Sequence, residues 1–180
     1  FRYLFLPFSF HCCPFSDPHI GDDVLYFHLF YYLKIMKNIL VLCTGNICRS
    51  PTAHYLLQKQ LGDDYEVTSA GLGALVDHAP DELALKIAYD HDLDMSSHRA
   101  KQVTEDLLCW ADLVLVMEAG HKNELLSKYP WLDGKIFRYG DPVQVDIPDP
   151  YRRPESAFLM AWNFIAKFTP YWVERIKTTS

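Results

Sequence analysis

The sequence predicts an α/β fold: a parallel sheet covered on both faces by helices. Two observations predict it. From Met36 onward, strand-like and helix-like segments alternate. Two of the strand-like segments, Asn38–Leu42 and Leu113–Met117, are continuous apolar runs rather than alternating ones, as expected of strands buried on both faces.

The elements follow in order. After Asn38–Leu42 comes the helix start Ser50-Pro51, a capping hydroxyl with proline at the first helical position. Ala53, Leu56, Leu57 and Leu61 share one face, and Gly62 stops the helix. Tyr65–Ala70 alternates as a strand, and residues 71–80 read as loop. Asp81–His91 reads as a helix with Leu83, Ile87 and Tyr89 as packing residues. Leu113–Met117 is followed by the helix Ala119–Tyr129, which Pro130 ends, and by the strand Lys135–Tyr139. Residues 141–154 carry four prolines and read as loop. The last element is the helix Glu155–Lys177, which Pro170 is expected to kink or interrupt. No internal repeat is visible.

Composition bounds the function. A chain of 180 residues, nearly half of them apolar, can bury one sizeable core. A net charge of -6 argues against a nucleic-acid binder held by phosphate neutralisation, without excluding a locally positive pocket. The five cysteines are odd in number and irregularly spaced, so no disulfide framework is expected. Cys12, Cys13 and Cys109 show no partner spacing, and no Cys/His cluster has zinc spacing, so no metal and no cofactor are expected. A reducing cytoplasm is the expected compartment. Residues 1–35 hold 11 of the aromatic side chains, with no helical or strand period. No run there reaches the roughly 20 apolar residues of a spanning helix, and no signal-peptide cleavage pattern appears, so stable membrane insertion is not expected. These residues are expected to lie outside the folded unit, as translated upstream sequence before a functional start at Met36, with residues 36–180 as the domain. The alternative is an interaction or membrane-surface segment.

The residues between Cys43 and Ser50 carry the chemistry. Ligands of parallel α/β sheets bind beyond the carboxyl ends of the strands, and Cys43 sits at such an end. A loop curling from there into a helix N-terminus turns its N–H groups inward as an anion nest, and the helix dipole adds positive charge. Gly45 is expected to supply a backbone conformation closed to most residues. Arg49 offers a planar fork matching two phosphate oxygens. Cys43, in the same field, is expected to be largely thiolate, a nucleophile beneath a bound oxyanion. A leaving group needs a proton, and Asp149, stiffened by Pro148 and Pro150, is a candidate acid. Tyr151 could stack on a substrate ring. His54, on the first helix, reads as a surface residue.

Together, "VLCTGNICRSPTA" and "DPYR" resemble the low-molecular-weight protein tyrosine phosphatases over about four-fifths of the chain, from Met36 to the C-terminal helix. "SAGLGALV", "SSHRAKQVT" and "PDPYRRPESAF" also look like the bacterial exopolysaccharide and capsule branch. The resemblance implies a three-layer sandwich around a four-stranded parallel sheet, with the phosphate-binding loop between the first strand and first helix. It implies a metal-free, two-step reaction through a phosphocysteine. Cys43 would be the nucleophile, Arg49 the phosphoryl clamp, and Asp149 the acid and then the base. Backbone amides from Thr44 through Gly45, Asn46, Ile47 and Cys48 to Arg49 would cradle the phosphoryl oxygens. Ser50 would bond the cysteine sulfur. Asn46 would brace a strained turn, and His98 would support it. Cys48 would form a reversible disulfide with Cys43 or would simply be a small buried side chain. Ile47, Leu75 and Tyr151 would line the pocket for phosphotyrosine. The implied partner is a phosphotyrosine protein, an autophosphorylating tyrosine kinase of polysaccharide export.

Three other readings remain. Arginine phosphatases share the loop but typically carry threonine at the position of Ile47 and Asp-Pro-Phe as the acid motif. Thioredoxin-coupled arsenate reductases need two further neighbouring cysteines, and only Cys109 lies downstream of Cys48. A phosphoprotein-binding module would be expected to lack the nucleophile or the acid.

Overall fold

A computed structural model describes residues 36–179. The expectations for residues 1–35 lie outside the described residues. Four strands form one parallel sheet: β1 (Asn38–Cys43), β2 (Glu66–Gly71), β3 (Leu113–Val116) and β4 (Ile136–Arg138), in the order β2-β1-β3-β4. The helices are α1 (Arg49–Leu61), α2 (Glu82–Asp90), α3 (Glu105–Trp110), α4 (Ala119–Lys128) and α5 (Glu155–Thr178). Short 3-10 turns lie at Pro130–Leu132 and Asp141–Val143.

The continuous apolar run of β1 has a direct structural cause. Its side chains alternate between two cores, each closed by helices. Ile39, Val41 and Cys43 join Ala53 and Leu57 of α1 and Ile165, Phe168 and Trp172 of α5. Leu40 and Leu42 join Leu108 of α3 and Leu125 of α4 on the opposite face. A third cluster, with Ile47, Ile87, Met95, Phe158 and Trp162, wedges α2 against the start of α5 beside the loop after β1. Burial on both faces is what a helix-covered parallel sheet imposes.

Several local expectations change. Helix α1 begins two residues early, at Arg49, with Cys48 as its cap and no side-chain capping bond. Ser50 and Pro51 are therefore the second and third helical residues, and the Ser50 hydroxyl turns back to Cys43 instead of capping. Pro51 still fits, because the first-turn N–H groups have no partner within the helix. Tyr89 is 79 % exposed and does not pack, whereas Ile87 is buried. The sequence reading has no counterpart to α3. Only Leu108 is buried among its six residues, too short a period to see, and Thr104 caps it by accepting from Leu107 N at 3.2 Å. Helix α5 runs unbroken through Pro170, which lies on the solvent side. Tyr139 pins the core side across that point: its hydroxyl meets Thr169 Oγ1 at 2.7 Å, and its carbonyl accepts from Trp172 Nε1 at 2.8 Å. None of the helices among the described residues is long and apolar enough to cross a membrane.

Gly71 ends β2 where the chain passes closest to the loop after β1. A Cβ there would lie 2.4 Å from Thr44 O and 3.0 Å from Ala74 Cα, both backbone atoms that cannot swing away. Gly71→Ala should therefore destabilise the protein by about 2 kcal/mol or more and displace Thr44. Urea unfolding checks this, with an unchanged midpoint as the contrary result.

Candidate active site

The loop from Cys43 to Cys48 has all its carbonyls turned outward, and each has a partner. Cys43 O accepts from Leu72 N at 2.9 Å, Thr44 O from Gly73 N at 3.0 Å, Gly45 O from Leu75 N at 3.1 Å, and Ile47 O from Asp81 N at 2.9 Å. His98 Nε2 lies 2.8 Å from Asn46 O, and Thr52 Oγ1 donates to Cys48 O at 2.8 Å. The N–H groups consequently face the other way. Asn46 N donates to Cys43 Sγ at 3.3 Å. The amides of Thr44, Gly45, Ile47, Cys48 and Arg49 have no acceptor among the described residues. Inward N–H groups with a helix start behind them form an anion cradle.

Asn46, not Gly45, takes the left-handed backbone conformation, with φ 57°. Asparagine is the side chain that tolerates it best. Its side chain holds the turn in place: Nδ2 donates to Ser50 Oγ at 2.9 Å and to Ser69 Oγ at 3.0 Å, while Oδ1 accepts from Lys101 N at 2.9 Å. Ser50 Oγ in turn lies 3.0 Å from Cys43 Sγ.

Arg49 is 2 % exposed and bonded at both ends of its guanidinium. Nη1 meets Glu118 Oε1 at 2.5 Å and Ile147 O at 2.9 Å. Nη2 meets Asp149 Oδ2 at 2.9 Å. Asp149 is about half exposed, and its Oδ1 accepts from Tyr151 N at 3.2 Å. Cys43, Thr44, Gly45, Ile47, Cys48, Arg49, Gly73, Leu75, Asp149 and Tyr151 line one cavity of about 140 Å³. Most residues singled out from sequence thus meet in one place. Asn46, Ser50 and His98 lie behind the loop rather than in the cavity.

Other side chains of the site were not foreseen. Ser69 braces Asn46, and Glu118 holds Arg49. His121 Nε2 lies 3.1 Å from Thr44 Oγ1, and its Nδ1 is buried without a partner. Burial holds His121 below its ordinary pKa, against the opposing pull of Glu118. Burial likewise lowers His98. Cys48 is a free thiol whose pKa burial pushes far up, with Asp81 and Cys43 acting in the same direction.

His54 is a correction. It is not a surface residue: it is half-buried on the inner side of α1, with Nδ1 3.4 Å from Ser69 Oγ and its ring against Tyr55. Burial, with His98 and Lys101 nearby, pushes its pKa down to about 4.

The profile of the "Low molecular weight phosphotyrosine protein phosphatase" family matches residues 38–180. The chain belongs to this family. A Ralstonia nicotianae protein named "Probable low molecular weight protein-tyrosine-phosphatase EpsP" is 44% identical over 143 residues, covering 79% of this chain and 98% of that one. The Vibrio vulnificus Wzb structure in complex with benzylphosphonate is 39% identical, with a TM-score of 0.74 over 78% of this chain and 99% of its own. The YwlE arginine phosphatase of Geobacillus stearothermophilus is 30% identical, with the same TM-score of 0.74 over 79% of this chain and 94% of its own.

The depressed pKa of His54 makes stability pH-dependent. Between about pH 6.5 and 4 the unfolded chain takes up a proton that folded His54 refuses, so stability falls as pH falls across that window. His54 accounts for up to about 3 kcal/mol of this loss. His54→Gln should give a visibly shallower fall in unfolding midpoint between those pH values. Superimposable pH profiles for parent and variant would remove the assignment.

Proposed function

We propose that this chain hydrolyses phosphotyrosine in proteins through a phosphocysteine intermediate. One observation carries the reading: every loop carbonyl from Cys43 to Cys48 is satisfied from outside, and the inward amides share a cavity with Cys43 and Arg49. Such a cradle stabilises the charge that spreads over a phosphoryl group in flight. Cys43 Sγ attacks phosphorus, and the ester bond to the phenol oxygen breaks. Displaced from Arg49 Nη2 by the arriving phosphoryl group, Asp149 takes up a proton from solvent and gives it to that oxygen. Water then attacks the phosphocysteine while Asp149 takes the water's proton. Ser50 Oγ, 3.0 Å from Sγ, steadies the departing sulfur.

The walls support an aromatic substrate. Ile47 and Leu75 present apolar surface to the cavity, and Tyr151 stands 40 % exposed at its mouth. A cavity whose nucleophile is only 3 % exposed suits a long phosphotyrosine side chain and leaves phosphoserine short of the sulfur. The YwlE neighbour keeps phosphoarginine as a second reading. Apolar Ile47 and ring-bearing Tyr151 favour the first. By analogy with the exopolysaccharide and capsule branch that the sequence resembles, the biological substrate is an autophosphorylating tyrosine kinase of polysaccharide export, met in the cytoplasm. The domain that does this is residues 36–180.

The deciding experiment measures phosphate release from a phosphotyrosine peptide in the presence of chelator, with a phosphoarginine peptide alongside. Release from phosphotyrosine is expected, and release from phosphoarginine alone would transfer the assignment to the second reading. Cys43→Ser should abolish turnover and keep phosphate binding; residual turnover would be incompatible with a covalent cysteine step. Asp149→Ala should slow phenyl phosphates by about 10²–10⁴-fold and esters of very good leaving groups far less. Equal losses would take the acid role away from Asp149.

A further inference from the structure

Arg49 is held at both ends of its guanidinium. Glu118 stands two residues beyond the end of β3, the strand that pairs with β1. Its carboxylate and the carbonyl of Ile147 take both hydrogens of Nη1, at 2.5 and 2.9 Å. That fixes the plane of the guanidinium. The remaining edge, Nε with Nη2, is the edge that can grip two oxygens of one phosphoryl group. Nε has no partner among the described residues, and Nη2 is occupied by Asp149, which comes from a loop. Glu118 reaches the start of the loop as well. Its Oε1 is 3.6 Å from His121 Nε2, which contacts the Thr44 hydroxyl.

We infer that Glu118 is a positioning residue, anchoring Nη1 so that the Nε–Nη2 edge of Arg49 faces the phosphoryl oxygens; the inference rests on the phosphatase reading above. Charge alone argues the opposite way. A carboxylate beside an anion site repels the anion, so if Glu118 acted only through its field, removing it would tighten phosphate binding. If it acts by orienting Arg49, removing it loosens phosphate binding in spite of the lost negative charge. The sign of the change separates the two.

The probe is inorganic phosphate, titrated calorimetrically into the full chain, which requires no turnover. Glu118→Ala should bind about tenfold more weakly than the parent. Glu118→Gln keeps the length and one acceptor oxygen and should fall between them. With an aryl phosphate as substrate, the same variants should raise KM as well as lower kcat, and Glu118→Gln, which keeps an acceptor for Nη1, should do both at a melting temperature close to the parent's. Unchanged or tighter phosphate binding by Glu118→Ala overturns the inference. Should that variant not fold, the near-isosteric Glu118→Gln decides by the same sign. A parent chain that binds phosphate but releases none from phosphotyrosine sinks the phosphatase reading and not this one; a parent that binds no phosphate sinks this one.

Discussion

The site depends on one backbone residue in a conformation it would not choose alone. Asn46 at φ 57° reverses the chain between β1 and α1, and without that reversal the loop amides would not converge. The left-handed region costs an L-residue roughly 1–2 kcal/mol. Five contacts offset it: the main-chain N–H to Cys43, the carbonyl to His98, and the side chain to Ser50, Ser69 and Lys101. Each buried bond is worth about 1 kcal/mol net, and each would cost more if left unmade. The partners come from β1, from α1, from β2 and from the segment before α3, so the turn is imposed by the whole domain. The other loop carbonyls are treated alike, with Leu72, Gly73 and Leu75 after β2 forming a second backbone wall against the loop.

The strand order explains why an acidic chain can build a cradle for an anion. The net charge is -6, and the positive field is local. Going from β1 to β2 the chain moves to one side; going on to β3 it returns to the other side of β1. The carboxyl ends of β1 and β3 therefore flank the point where the direction of winding changes, the place where open parallel sheets bind ligands. One end supplies Cys43 and the amide loop. The other supplies Glu118 and, one helical turn on, His121. Arg49 lies between them, buried to 2 %, and its charge is matched by two carboxylates rather than by water. A buried guanidinium without such partners would be far more costly than the fold could bear.

What was legible in the sequence follows from how local each interaction is. Cys43, Thr44, Gly45, Ile47, Cys48 and Arg49 are contiguous, and a strand-loop-helix reading places them together; Asp149 and Tyr151 announced themselves through the prolines around them. Partners that reach the site from elsewhere in the sheet left weaker signals. Ser69 looks like any strand serine, and Glu118 and His121 like the ordinary opening of a helix. Their position just past a strand's carboxyl end was the one available hint. Ser50 was misread because Ser-Pro is a common cap, and only the fold shows that its hydroxyl is engaged seven residues back, by Cys43. His54 was misread because a polar residue on a helix passes for solvent-facing until β2 is seen against it. Gly45 was credited with the special backbone that Asn46 supplies, since glycine is the usual bearer of it.

The two acids on Arg49 are not equivalent, and their difference suits the proposed chemistry. Glu118 grows from the rigid end of a sheet strand and shares Nη1 with a backbone carbonyl. Asp149 sits between Pro148 and Pro150 in a segment without helix or strand, about half exposed. A phosphoryl group entering the cavity needs the guanidinium edge that Asp149 occupies, and the leaving oxygen needs the proton that Asp149 would carry. Displacement by the substrate answers both needs at once, because the contact that must break holds the group that must act next. The two tethers therefore play different parts in the proposed reaction: Glu118 keeps Nη1 in place while Asp149 gives up Nη2 to the arriving phosphoryl group.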